Sequence, residues 1–129
     1  MCGRYSDPSS NAFEDYGVVL KQSFERSYTV LPGSLKPILV KNSPLRIDMA
    51  KWGLIPVWRK EFKARFTTFN ARKEGILESR LFKRPFLTQR CLVLASAFYE
   101  WHTHSDGEKV RYVVRRKNRE DFSFAGQSK

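Results

Sequence analysis

Residues 91–101 (CLVLASAFYEW) form the longest apolar run in the chain, broken only by Ser96 and Glu100. Such a run leaves no polar face for water. It therefore predicts a strand buried on both sides at the centre of a sheet. The remaining elements must cover it. Pro37 to Val40 and Leu45 to Trp52 read as short strands, with Asn42-Ser43-Pro44 turning between them. Val110 to Arg115 and Asp121 to Ala125 read as two more, the first entered through a turn at Ser105-Asp106-Gly107. A helix is predicted from the cap-like Asp7-Pro8-Ser9-Ser10 to about Phe24, with Gly17 weakening it. A second amphipathic helix is predicted over Glu74 to Phe82, where Ile76, Leu77 and Leu81 share a face. Gly53 to Arg65 reads as an ordered loop and Phe66 to Asn70 as a strand end. The mixture is α+β and rich in strands.

At 129 residues there is room for one domain, 1–129, and the 41% apolar and 14% aromatic fractions supply a core without staples. No stretch approaches the ~18 apolar residues of a membrane span. The N-terminus lacks the apolar segment of a secretory signal. Two cysteines, Cys2 and Cys91, make no disulfide framework, so the cytoplasm is the expected compartment. The expected location is at the nucleoid if the source is bacterial. The last predicted strand is followed only by Gly126 to Lys129. That leaves a sheet edge open, and further chain is expected to complete the fold.

Charge is concentrated. The net charge is +11, and residues 59–92 hold ten Lys and Arg against three acids. Trp52, Trp58, Phe62, Phe66, Phe69, Phe82 and Phe86 lie in and beside that segment. Cations attract phosphate and release counterions, and aromatic faces stack on unpaired bases. This composition points to single-stranded nucleic acid; the alternative is a solvated basic face over core aromatics.

Three positions carry chemistry. Removal of Met1 would leave Cys2 with an α-amine and a thiol on adjacent carbons, with reference pKa values of ~7.7–8.0 and ~8.5. Such a 1,2-aminothiol condenses with an aldehyde to an imine and closes to a five-membered thiazolidine, which an internal cysteine cannot do. The alternative is a cysteine that only packs. Asn70-Ala71-Arg72-Lys73-Glu74 places an amide and a guanidinium at a predicted strand–helix junction, suited to holding an amine or sugar oxygen and a phosphate, or serving only as a cap. Glu100, flanked by Phe98, Tyr99 and Trp101, is a carboxylate placed for acid–base work or a surface residue past a strand. His102 and His104 lack the further ligands a zinc site requires, so no metal is assigned. There is no glycine-rich phosphate loop and no cofactor is expected.

These blocks, in order, resemble the SOS-response-associated peptidase (SRAP) family of abasic-site processing proteins. The matching residues are Met1-Cys2-Gly3-Arg4-Tyr5, Trp52-Gly53-Leu54-Ile55-Pro56-Val57-Trp58, Asn70-Ala71-Arg72-Lys73-Glu74, Arg90-Cys91-Leu92-Val93 running into Phe98-Tyr99-Glu100-Trp101, and Phe124-Ala125-Gly126. The resemblance implies a barrel-like mixed sheet with few short helices. It implies an enzyme that loses Met1 by autoproteolysis or to an aminopeptidase and forms a thiazolidine crosslink between Cys2 and an abasic site in single-stranded DNA; a monomer is expected. By the same resemblance Cys2 is the nucleophile and Asn70 positions the amine and sugar. Glu100 is the acid–base group, Arg4 and Arg72 contact phosphate, and Trp52 and Trp58 belong to the DNA groove. The chain departs from the family pattern at Thr29, Leu94 and Ala97, and it does not reach the family's His-x-Arg-Met-Pro motif. General peptidase activity and non-catalytic nucleic-acid binding are the competing functions.

Overall fold

The computed structural model describes residues 2–41, 43–56 and 68–128. The long apolar run is two strands rather than one. It divides at Ser96 into β4 (Arg90–Ala95) and β5 (Ala97–Thr103), which belong to different sheets. With β1 (Tyr5–Ser6), β2 (Leu35–Val40), β3 (Arg46–Lys51), β6 (Lys109–Val114) and β7 (Phe122–Gln127), the strand orders are β1-β5-β6 and β3-β2-β4-β7. Every pairing between these strands is antiparallel. The expected strand-rich α+β fold with few short helices is what forms; among the described residues the two sheets form no closed barrel. No described helix is long and apolar enough to cross a membrane.

The continuous apolar character of β4 has a specific cause. Leu92 and Leu94 pack with Ala12, Phe13 and Leu39 in one cluster, while Val93 and Ala95 pack with Tyr5, Val30, Phe98, Phe122 and Phe124 in the other. Alternate residues of one strand thus serve two cores on opposite faces of the four-stranded sheet. The sheet switch falls at Ser96, the first polar residue of the run. Its N–H donates to the Ser6 carbonyl (3.1 Å) and its hydroxyl to the Asp7 carbonyl (2.8 Å), so the backbone groups freed by the switch are satisfied.

Both predicted long helices are replaced by shorter structure. Only a 3-10 turn at Glu14–Tyr16 forms in the first, ended by Gly17 in the left-handed region (φ 70°). Ala12, Phe13, Val18, Leu20 and Phe24 still reach the core, from a chain that crosses the sheet face mostly without helical bonding. In the second, a 3-10 turn at Lys73–Gly75 precedes turns, and the helix α1 spans Lys83–Thr88. The Ser79 hydroxyl accepts the N–H groups of Leu81 (3.3 Å) and Phe82 (3.2 Å) in the turn that leads into this helix, which starts beyond the predicted one. The predicted β2–β3 pair and the turn at Ser105-Asp106-Gly107 are observed, Gly107 taking φ 88°. Thr68 to Asn70 lie in no strand; the rest of that predicted strand end, and loop residues 57–65, fall outside the described residues.

Asp7 joins the N-terminal segment to the larger sheet. Its carboxylate accepts from Lys36 of β2 and from the Ser27 N–H (2.8 Å), and its own N–H donates to the Ser27 carbonyl (2.9 Å). The pair is enclosed, with side-chain exposures of 12% for Lys36 and 2% for Asp7. Removing one partner of a buried pair strands the other charge. Lys36→Ala is therefore expected to lower the unfolding free energy by about 3 kcal/mol in a urea titration, whereas Arg46→Ala, which breaks the exposed Arg46–Asp48 pair, should leave the midpoint close to that of the wild type.

Candidate active site around Cys2

Cys2 lies at the seam of the two sheets, packed beside Tyr5, Val30 and Ala95. The short β1 brings it there by pairing Tyr5 with Phe98 and Ser6 with Ala97. Just ahead of β1, the Arg4 carbonyl receives the Tyr99 N–H (3.0 Å) and the Cys2 thiol (3.3 Å). From the other side, Asn70 Nδ2 donates to the Cys2 carbonyl at 2.7 Å. Cys2 is thus held by two segments far apart in sequence.

Asn70 is itself positioned by Trp52. The indole N–H donates to the Phe69 carbonyl (3.1 Å), and the Leu54 N–H to the Thr68 carbonyl (3.0 Å). The Trp52 ring meets Tyr5 (5.2 Å between centroids) and Phe69 (5.9 Å) edge-on. A closed circuit results: Tyr5 fixes Trp52, Trp52 fixes Phe69, and the next residue holds Cys2. Nothing in the local pattern announced the roles of the Trp52 N–H and the Phe69 carbonyl, because a clamp of this kind is a tertiary contact.

Glu100 follows Phe98 on the same face of β5, close enough for its charge to act on Cys2. The Cys2 thiol is held above the ordinary cysteine value, first by burial and then by the Glu100 charge; the Arg4 backbone and the chain's amino terminus pull the other way. Burial alone pushes Cys91 up to about 11, so that thiol is inert near neutrality.

Of the remaining expected site residues, Arg4 is half-buried between Cys2 and Tyr5, and Arg72 stands exposed two residues beyond Asn70. Trp52 is half-buried within the clamp, and Trp58 lies outside the described residues. Lys73, Arg80, Lys83, Arg84 and Arg90 are exposed with Arg72, so the described part of the basic segment is a solvated cationic surface. His102 and His104 stand further along β5 and just past its end, their rings 4.9 Å apart. Among the described residues no three His, Cys, Asp or Glu side chains gather as a metal site.

Fold and site together define a class: a two-sheet protein whose second residue, a cysteine, is held by an asparagine and lies within electrostatic reach of a strand glutamate. The family model for the SOS response associated peptidase (SRAP) matches residues 1–129, and the chain belongs to that family. It is 33% identical over 132 residues to the abasic site processing protein YoaM of Bacillus subtilis (strain 168), covering 98% of this chain and 58% of the relative. It is 40% identical over 88 residues to the abasic site processing protein HMCES of Pongo abelii, covering 58% of this chain and 25% of the relative. A Bordetella bronchiseptica crystal structure shares the fold with a TM-score of 0.79 at 22% identity, over 98% of this chain and 63% of that one. One from Bacteroides thetaiotaomicron gives 0.76 at 26%, over 96% and 58%. The chain therefore spans about three-fifths of the length of the Bacillus relative and of each crystal structure.

The titration of Cys2 is testable by alkylation. Because Glu100 is negative, its charge favours the neutral thiol, and removing it shifts the thiol downward. Glu100→Gln is expected to move the midpoint of the pH–rate profile for Cys2 iodoacetamide labelling to lower pH, so labelling at pH 8 accelerates. Peptide mapping should place that label on Cys2 and not on Cys91.

Proposed function

We propose that this chain processes abasic sites in DNA by forming a thiazolidine through Cys2 once Met1 has been removed. The observation that carries the reading is the 2.7 Å hydrogen bond from Asn70 to the Cys2 carbonyl, with the Glu100 charge acting on the same residue's thiol. An N-terminal residue that only packed would not need its backbone held by a side chain from residue 70. The names of the relatives support the substrate class.

The ring-opened sugar of an abasic site carries an aldehyde. The Cys2 amine adds to its carbon, and loss of one water gives an imine. The thiol then adds across the C=N bond, sulfur to carbon and proton to nitrogen, closing the five-membered ring with no oxidant or reductant. Glu100 supplies and receives the protons of these steps. Asn70 holds the backbone so that amine and thiol face one carbon, an orientation effect. Arg4 and Arg72 take the flanking phosphates, with Trp52 in the groove wall. Single-stranded DNA is the proposed form, because exposed cations and aromatics on one segment suit unpaired bases. Met1 leaves by autoproteolysis or by an aminopeptidase, and the protein acts as a monomer in the cytoplasm.

A non-covalent nucleic-acid binder is the second reading, favoured by the exposed cations from Arg72 to Arg90. The two separate in one experiment, incubation with single-stranded DNA bearing an abasic site followed by denaturing electrophoresis. The Met1-free protein is expected to give a shifted band and Cys2→Ala none, while Cys2→Ala keeps salt-sensitive binding. Glu100→Gln should slow crosslinking about 100-fold, within the range of general acid–base catalysis. Asn70→Ala should slow it about tenfold, the equivalent of one lost hydrogen bond. No shifted band from the Met1-free wild type, or an undiminished band from Cys2→Ala, overturns the proposal.

A further inference from the structure

Beyond Glu100, the face of β5 that carries it continues into a group of rings for which the crosslinking chemistry has no use. Alternation along the strand places His102 on the same face as Phe98 and Glu100. Register with β6 places Tyr112 directly opposite Glu100, hence on that face too. His104, just past β5, completes the group. The Tyr112 hydroxyl and His104 Nε2 lie 3.1 Å apart, and the His102 and His104 rings stand perpendicular at 4.9 Å. His102 and Tyr112 are 6.2 Å apart. Tyr112 is 45% exposed, and His102 is exposed as well. A shallow depression of about 550 Å³ runs along this strand pair, lined in part by Glu100, His102, Tyr112 and Arg115.

The chemistry of that surface selects its ligand. It offers exposed rings braced against one another, with the Glu100 carboxylate at the end of the group nearer Cys2. A phosphate set against Glu100 would be repelled, whereas an uncharged base ring would not. Stacking on exposed rings is how unpaired bases are held, and it tolerates any base. The depression begins at Glu100, on the strand that pairs with β1 beside Cys2, so its occupant lies on the Cys2 side of the hairpin.

We propose that Tyr112, with His102 and His104 braced against it, is the stacking platform for the base adjoining the abasic nucleotide. This rests on the reading of Cys2 as the crosslinking residue. It assigns to the β5–β6 hairpin the discrimination between a lesion within a strand and a free aldehyde sugar. The hydroxyl–imidazole bond sets the ring's angle; the ring face supplies the binding.

The test separates binding from chemistry. Affinity of the Met1-free protein is measured by fluorescence anisotropy with a single-stranded oligonucleotide holding a central tetrahydrofuran residue, which mimics the lesion but has no aldehyde to crosslink. Tyr112→Leu keeps strand propensity and apolar bulk but loses the aromatic face. It is expected to weaken binding roughly 5- to 100-fold, the loss of one stacked base. Tyr112→Phe should stay within about twofold of wild type. On oligonucleotides in which the base on one side is also removed, wild type and Tyr112→Leu should converge for one side only, which identifies the stacked base. Binding by Tyr112→Leu within twofold of a wild type that does crosslink a true abasic site overturns this inference alone. A circular dichroism spectrum of Tyr112→Leu that departs from wild type shifts the comparison to His102→Ala, judged by the same one-sided convergence. Absence of crosslinking by wild type overturns the Cys2 reading instead, whatever Tyr112 does.

Discussion

The site depends on one enclosed carboxylate, that of Asp7. An N-terminal segment with a two-residue strand has little pairing of its own to hold it. Asp7 binds it to the Ser27 backbone and to Lys36 of the larger sheet, and its carbonyl takes the Ser96 hydroxyl at the point where the chain changes sheets. Buried ion pairs add little net stability compared with apolar replacements, but they admit few alternative partners. Here that selectivity fixes where Tyr5 sits, and through Tyr5 it fixes Trp52, Phe69 and Asn70. Cys2 is held at the end of that series by the Asn70 amide.

The same arrangement sets a tension in the chemistry. Burial and a neighbouring carboxylate both hold the Cys2 thiol in its neutral form. For a thiolate nucleophile attacking on its own this is a handicap. For thiazolidine formation it is tolerable, because the amine attacks first and the thiol then reacts within the same residue, at high effective concentration. A carboxylate beside the thiol can take its proton as the ring closes. A raised thiol is therefore compatible with the amine-led reaction proposed above.

The residues proposed for the chemistry were chosen from the sequence; most of what surrounds them was not visible there. Cys2, Asn70 and Glu100 stood out because each is an unusual residue in its local pattern, and the fold gathers all three. The 91–101 run was legible as buried but not as two strands, since periodicity does not show that alternate residues face two different cores. Ser96 was the visible sign of the break. The helix predicted to Phe24 failed because Gly17 takes a left-handed conformation, and the one over Glu74 to Phe82 gives way to turns, with the Ser79 hydroxyl bonded inside them and the helix forming only from Lys83. Asp7 read as a turn residue, and its long-range partners could not be inferred from spacing. Tyr112 was within reach: the Ser105–Gly107 turn, folded as a hairpin, already sets it opposite Glu100.

The most direct measurement is the identity and bond type of the residue joined to DNA. Met1-free protein reacted with an abasic single strand, digested and analysed by tandem mass spectrometry, is predicted to carry the sugar on Cys2 as the N-terminal residue. The mass should correspond to condensation with loss of one water, and the adduct should be unchanged by borohydride, as expected for a closed ring. An adduct on a lysine that persists only after borohydride reduction would be a simple imine, and would contradict the account.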